Sequence, residues 1–261
     1  MEHKVSGVDA GRVGRMVGFV DVHSHVVPSG DDGAGSVEDG LALCREAVRR
    51  GTTVLFATPH VWPSLPLPIE RERAVRAAHA EMAEEAAGFG LDLRLGWELT
   101  PSPRLLAEEP GRYRLADLPA VLLELPFHGP LSLAEALAEH VQASGLTPVI
   151  AHPERAEGVL QDFGAAERLV ERGWVLQVNA TSLLGYHGPE REAVGWRLVD
   201  EGLAGLVASD GHRRARPPHL DDAYKLVRAR VGEAADGLFD GTQLGVNLVA
   251  RGHRVDLAQR R

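Results

Sequence analysis

A single cysteine in 261 residues excludes a disulfide framework and a thiolate-based zinc site, and it fits a reducing, cytoplasmic setting. Lysine is nearly absent, with only Lys4 and Lys225. Acidic residues outnumber basic ones by 37 to 28, and the net charge of −9 argues against a nucleic-acid partner held by phosphate neutralisation. No run approaches the roughly 18 apolar residues of a membrane span, so no direct membrane anchor is expected. Residues 1–17 lack the apolar core of a secretory signal. Met16 sits just before the first strand, so the segment ahead of it reads as a loose tail or a mis-called start. What the chain has in excess is histidine, 12 against 3 tyrosines. Their number says little about metal; their placement decides.

Short β-branched or apolar runs alternate with helical patterns along the chain. Strands are expected at Val17–His23, Thr52–Ala57, Leu91–Trp97, Ala120–Leu123, Pro148–Ala151, Trp174–Asn179 and Leu203–Ala208. Helices are expected from Val37 behind a Ser36 cap, from Ile69 to about Ala87, and from Ser132 to near Gly145. Others follow from Phe163 to Arg172, from Pro189, and from near Leu220. Strand–helix alternation implies parallel pairing, and seven such units without a linker predict one α/β domain over residues 18–250, with a tail at 251–261. A closed or nearly closed barrel is the favoured form; a doubly wound open sheet is the alternative.

The strand ends carry a regular chemistry. In order they deliver Asp21-Val-His23-Ser-His25, Thr58-Pro-His60, Glu98, Glu124, His152-Pro-Glu-Arg155, Asn179-Ala-Thr-Ser182 and Asp210-Gly-His212. Every strand but the sixth brings an imidazole or a carboxylate to its C-terminal end, the rim where barrel enzymes gather catalytic groups. Strand alternation puts His23 and His25 on one face with Asp21, about 7 Å apart, with Val20 and Val22 opposite. Glu98 and Glu124 each follow an apolar strand, where a carboxylate is desolvated unless it is paired or metal-bound. Five histidines and four acids exceed the ligand set of one ion, and nitrogen–oxygen donors without thiolate point to Mn, Fe or Zn. Clustered ions generate hydroxide at neutral pH and stabilise both oxygens of a phosphoryl displacement, so phosphoester hydrolysis leads. Arg155 and Arg216 are the candidate phosphate clamps, while Arg213 and Arg214 read equally well as surface charge.

Asp21-Val-His-Ser-His, Asp31-Asp-Gly33, Thr58-Pro-His, His152-Pro-Glu-Arg and Ser209-Asp-Gly-His together resemble the polymerase-and-histidinol-phosphatase (PHP) superfamily. The nearest branch is that of the manganese-dependent bacterial protein-tyrosine phosphatases of capsule and exopolysaccharide synthesis, and the resemblance runs from about Phe19 to Val246. It implies a distorted (β/α)7 TIM-like barrel with three metal ions. Carried over, His23, His25, Glu98 and Asp210 would hold one ion, and Glu98 would bridge to a second held by Glu124 and His152. Asp32, His60 and His212 would hold the third; Asp32 comes from the resemblance alone. Acids at Asp32 and Glu124 favour the tyrosine-phosphatase branch. The Trp62–Pro68 segment departs from the Tyr- and Phe-containing loop that often follows Thr-Pro-His there.

The expected activity is hydrolysis of phosphotyrosine by a metal-bound hydroxide, with Arg155 and Arg216 absorbing charge and His212 or a bound water available as proton donor. The implied partner is a phosphotyrosine protein, such as the tail of a bacterial tyrosine kinase. Alternatives are a small-molecule phosphatase acting on histidinol phosphate, or a non-catalytic metal-binding accessory domain. Cys44 and Arg50 match the C-x5-R spacing of cysteine-dependent phosphatases, but they sit in an amphipathic helix without a glycine loop, so Cys44 reads as core. His3, His79, His128, His140, His187, His219 and His253 are expected to stay outside the cluster.

Overall fold

The computed structural model describes residues 18–246. The expected tails, and the last four residues of the expected domain, lie outside the described residues. The strands are β1 (Phe19–Ser24), β2 (Thr52–Ala57), β3 (His60–Val61), β4 (Asp92–Leu95), β5 (Glu98–Leu99), β6 (Ala120–Glu124), β7 (Thr147–Ala151), β8 (Val175–Asn179) and β9 (Ala204–Ala208). The α-helices are α1 (Val37–Arg49), α2 (Ile69–Gly88), α3 (Ser132–Ala143), α4 (Glu157–Gln161), α5 (Gly164–Glu171), α6 (Ala180–Leu183), α7 (Pro189–Asp200), α8 (Asp221–Val231) and α9 (Asp236–Phe239).

The pairing is parallel throughout, in the orders β1-β2-β4 and β3-β5-β6-β7-β8-β9. These orders trace seven strand positions, because β2/β3 and β4/β5 are each one strand broken in the middle. Pro59 interrupts the first pair, since it has no N–H to give the ladder. Gly96-Trp97 interrupts the second. There Gly96 N donates to Ala57 O at 2.8 Å, and a Cβ on Gly96 would meet Leu115 Cδ2 at 2.6 Å. The expected strand Leu91–Trp97 therefore ends at Leu95, and Glu98 starts a new segment in the other sheet. The seam closes where Asp210 N donates to His23 O (2.9 Å) and His25 N to Gly211 O (2.6 Å). This is the distorted barrel; the open-sheet alternative falls with that seam.

Two apolar clusters hold it. One lies between strands and helices, and includes Leu41, Cys44, Leu55, Met82, Leu123, Ile150, Leu169 and Phe239. The other fills the barrel interior with Val20, Val22, Val54, Phe56, Leu122, Val149, Val175 and Leu206. Leu115, Leu118, Leu244 and Val246 join the strand starts and plug the end away from the strand C-termini. β6 and β8 are buried along their whole length, as parallel strands covered on both faces must be. Ser36 Oγ accepts from Asp39 N at 3.2 Å, the expected cap on α1.

Candidate metal centre

β1 is not a regular strand. Asp21 pairs with Leu55, yet Ser24 pairs with Ala57, so β1 carries one residue more than its partner. That bulge breaks the alternation and lets His23 follow Val22 toward the barrel interior. Asp21 does not share the histidines' face: it alternates with Val20 and Val22, and its Oδ1 accepts from Ser209 N (3.0 Å). Burial pushes its pKa to about 6. Two further candidates, His152 and Asp210, sit at φ 35° and 51°, left-handed backbone that His and Asp tolerate better than most residues. Each turns its side chain sharply off a strand end, at a cost of about 1–3 kcal/mol.

Glu98 is the hub. Its Oε2 lies 3.0 Å from His23 Nε2, 3.2 Å from His25 Nε2 and 3.0 Å from His60 Nδ1, and its Oε1 lies 3.0 Å from His152 Nε2. Asp210 Oδ1 stands 3.5 Å from His23, 3.4 Å from His25 and 3.3 Å from His212. Three sets of donor atoms each fall within 4.8 Å of one another: His25, His60 and His212; His23, His25 and Asp210; and His23, Glu98 and His152. Asp32 stands outside these sets with its side chain half exposed, its Oδ1 3.2 Å from His212 Nε2 and 3.6 Å from His60 Nε2. Glu124 also stands outside them, accepting from Thr100 Oγ1.

The electrostatics follow from burial and crowding. Burial opposes the charged form of Glu98, but His23, His60 and His152 hold its pKa well below the usual range. Asp210 is held low in the same way by its surrounding imidazoles, chiefly His23 and His25. Glu124 goes the other way: burial, then the charge of Glu98, raises it to about 8. Burial lowers His152 to about 4.

The His23 tautomer can be read from its partners. Gln177 Nε2 donates to Asn179 Oδ1 (2.9 Å) and Asn179 Nδ2 to Asp210 Oδ2 (2.8 Å), so Gln177 Oε1 accepts from His23 Nδ1 (2.8 Å). At His212 the partners compete, because Nδ1 meets both an acceptor, Asp210 O (2.8 Å), and a donor, the Arg216 guanidinium. In the His23 ring the Nε2 lone pair faces the cluster, the arrangement that metal ligation requires. Glu98 Oε2, His25 Nδ1, His60 Nδ1 and His152 Nδ1 are buried without a hydrogen-bond partner. A buried carboxylate oxygen amid lone pairs costs several kcal/mol unless a cation reconciles them. The donor set fits divalent metal.

Comparison with known proteins agrees. Residues 19–239 match the family described as capsular polysaccharide synthesis, CpsB/CapC. Tyrosine-protein phosphatase YwqE of Bacillus subtilis is 32% identical over 82% of this chain and 85% of its own length. The chain belongs to the CpsB/CapC family. Tyrosine-protein phosphatase CpsB of Streptococcus pneumoniae is 28% identical over 82% of this chain and 91% of its own length. A crystal structure described among those of YwqE and CpsB, as metal-dependent tyrosine phosphatases, superposes with a TM-score of 0.75 at 32% identity. It covers 84% of this chain and 90% of the other. A phosphotriesterase homology protein from Escherichia coli shares the fold alone, with a TM-score of 0.55 at 12% identity over 86% of this chain and 97% of that one.

Around the centre of this CpsB/CapC chain, Arg155 Nη1 donates to Asp210 Oδ2 at 2.9 Å, with its guanidinium 4.7 Å over the Phe127 ring. Arg216 reaches His212 Nδ1 and lies 3.9 Å from Asp210 Oδ2. Arg213 is a strap rather than loose surface charge, donating to Asp32 O (2.8 Å) and Gly33 O (3.1 Å). Trp62, in the departing segment, stacks on His60 at 4.4 Å. Cys44 is fully buried and its thiol is pushed up to about 12 by burial. His79 and His140 bond to Leu93 O and Glu108 O, and His219 lies 3.2 Å from Glu46, all away from the cluster. His128 and His187 line a cavity beside Arg155. His3 and His253 lie outside the described residues.

Sequence reasoning missed the supports. Asp31 Oδ2 accepts from His60 N (3.0 Å) and lies 3.6 Å from His25 Nδ1. Gln177 and Asn179 connect His23 to Asp210, which is what the sixth strand contributes in place of a ligand. Glu154 is buried and accepts from Asn179 N (3.0 Å) and Ser182 Oγ (2.7 Å). The signal for these was a polar residue at a buried strand end, Asn179 above all.

Proposed function

We propose that this chain is a protein-tyrosine phosphatase that depends on a cluster of three divalent ions, manganese foremost. The observation that carries the reading is Glu98, one buried carboxylate in contact with four imidazoles and with an oxygen no hydrogen bond satisfies. His23, His25, Glu98 and Asp210 would hold one ion; Glu98, Glu124 and His152 a second; Asp32, His60 and His212 a third. Ions bound there supply Lewis-acid charge for phosphoryl oxygens and lower the pKa of water.

The remaining work falls to side chains. Arg155, fixed by Asp210 on one nitrogen and by Phe127 on its face, keeps the rest of its fork for phosphate oxygens. Arg216 approaches the same Asp210 oxygen, at 3.9 Å. His212 turns Nε2 to Asp32 at 3.2 Å, which favours the ligand role over that of proton donor. Phenolate, with a parent pKa near 10, leaves without a dedicated acid more readily than an alkoxide. The names of YwqE and CpsB support phosphotyrosine as substrate. A bacterial tyrosine kinase with a phosphorylated tail, met in the cytoplasm, is the partner this reading implies.

The test is a panel of phosphotyrosine peptide, phosphoserine peptide and histidinol phosphate, run on manganese-loaded protein alongside metal analysis. Preference for phosphotyrosine with three bound ions is expected. Turnover of histidinol phosphate alone overturns the substrate, and fewer than three ions overturns the cluster.

A further inference from the structure

Next to the metal centre, Phe127, His128, Arg155, His187 and Arg191 line an open cavity of about 240 Å³. Arg155 is shared: one nitrogen holds Asp210 in the cluster while the side chain also borders this space. The cavity therefore begins where the phosphate site ends. Arg191 is its second fixed cation, and its placement is built. Gly188, at φ 91°, and Pro189 start α7, and Arg191 Nη1 donates back to His187 O at 3.2 Å. His187 Nε2 is itself bonded to Thr181 Oγ1 at 3.0 Å, which ties the loop to α6.

In this acid-rich chain arginines usually find carboxylates. Arg197 on the same helix pairs with Glu201 at 2.6 Å, and Arg230 with Asp200 at 2.5 Å. Arg191 forms no ion pair within 4.0 Å among the described residues. Glu190 and Glu192 flank it in the first turn without lining the cavity, Asp210 is engaged by Arg155 at 2.9 Å, and Glu157 faces His128 at 3.8 Å.

We infer that the cavity is a second anion subsite in which Arg191 reads an acidic group next to the phosphotyrosine, either an Asp or Glu carboxylate or a second phosphate. The inference rests on the protein-tyrosine phosphatase reading. Side chains two residues apart on an extended peptide share a face at about 7 Å, so an acid two positions away reaches the neighbouring space. A planar fork with no internal carboxylate suits either anion.

The test uses the metal-loaded full chain and labelled peptides carrying a non-hydrolysable phosphonate analogue of phosphotyrosine, followed by fluorescence anisotropy. Flanking positions carry Gln, Glu or a second phosphotyrosine analogue. Wild-type protein is expected to bind one acidic set about tenfold tighter than the Gln set. Arg191→Gln should shrink that ratio below about twofold, and the arm that responds names the anion. Equal binding of all sets, or a ratio that survives Arg191→Gln in protein with an unchanged unfolding midpoint, overturns the subsite. Hydrolysis of the Gln-flanked phosphotyrosine peptide separates the two readings. If it is turned over without acidic preference, the subsite alone falls; if no phosphotyrosine peptide is turned over, the phosphatase reading falls and takes the subsite with it.

Discussion

Glu98 sits where four imidazoles converge, and its charge adds to the lone pairs that a cation there would balance. Glu98→Gln keeps the shape and removes that charge. Metal analysis should find at least one ion fewer, and turnover should fall by roughly three orders of magnitude, equivalent to about 4 kcal/mol of transition-state stabilisation. Full metal content with more than a tenth of wild-type turnover refutes the bridging role. Cys44 makes the opposite case. Its thiol is buried and pushed up to about 12, so thiol alkylation should leave activity intact, and strong loss would restore the cysteine mechanism. His187 gives a pH signature. Burial, then the guanidinium groups of Arg155 and Arg216, lowers its pKa from 6.5 to about 4. Between those values the unfolded chain binds a proton that the folded chain refuses, so stability falls as pH drops through that window and this group contributes no slope above it. His187→Gln should flatten that part of a plot of Tm against pH; an unchanged slope would assign it to other groups. Most proposed ligands are legible in the sequence, because strand position alone sends His23, Glu98, Glu124, His152 and Asp210 to one rim. Their supports are not. Gln177 and Asn179 look like ordinary buried amides until the fold brings His23 and Asp210 to them across 154 and 31 residues.

At the scale of elements, the alternation of strand and helix is readable because each strand is a continuous apolar run and each helix an amphipathic one. The breaks are not readable. Pro59 looks like the end of a strand and Gly96 like the interior of one, and only neighbours in the sheet reveal that β3 and β5 resume the same two positions. The bulge in β1 is equally silent in sequence, yet it decides that His23 and not Asp21 enters the site. Helix α1 shows how closely elements must fit to hold that strand end. A Cβ on Gly40 would meet Val26 O at 2.0 Å and Met82 Cε at 2.6 Å. Gly40→Ala must push α1 away from backbone adjoining His25, at a cost of about 1–3 kcal/mol. Thermal unfolding should drop by several degrees, with weaker metal binding alongside; an unchanged midpoint would mean that α1 has room to yield. Strand β8 acts through its amides. Gln177→Ala frees the His23 ring, and apparent metal affinity should weaken by about 10- to 100-fold in a titration, while an unchanged value would leave Gln177 a packing residue only.

For the molecule as a whole, the proposed ligands span six of seven strand positions and the loop after β1, so metal ions would act as cross-links at the open end of the barrel. The opposite end needs none, since Leu115, Leu118, Leu244 and Val246 close it with apolar contacts. Stripping metal leaves Glu98, Asp210 and Glu124 crowded at the open end, where burial and mutual charge already raise Glu124 to about 8. The folded state alone assembles these donors, so free metal at about 100 times its dissociation constant adds roughly 2.7 kcal/mol of stability. For a chain of this size that amounts to roughly 5–10 °C in Tm. Chelation should therefore lower Tm as well as abolish turnover, and manganese should restore both in parallel as it is titrated back. Activity lost on chelation with no change in Tm would mean that the ions do not join the strands. Magnesium offers the sharper control. It prefers oxygen donors and keeps its own waters, whereas five of the nine proposed ligands are imidazoles. At equal concentration it should recover only a fraction of the Tm shift; recovery as complete as with manganese would show that the nitrogen-rich donor set does not choose the metal.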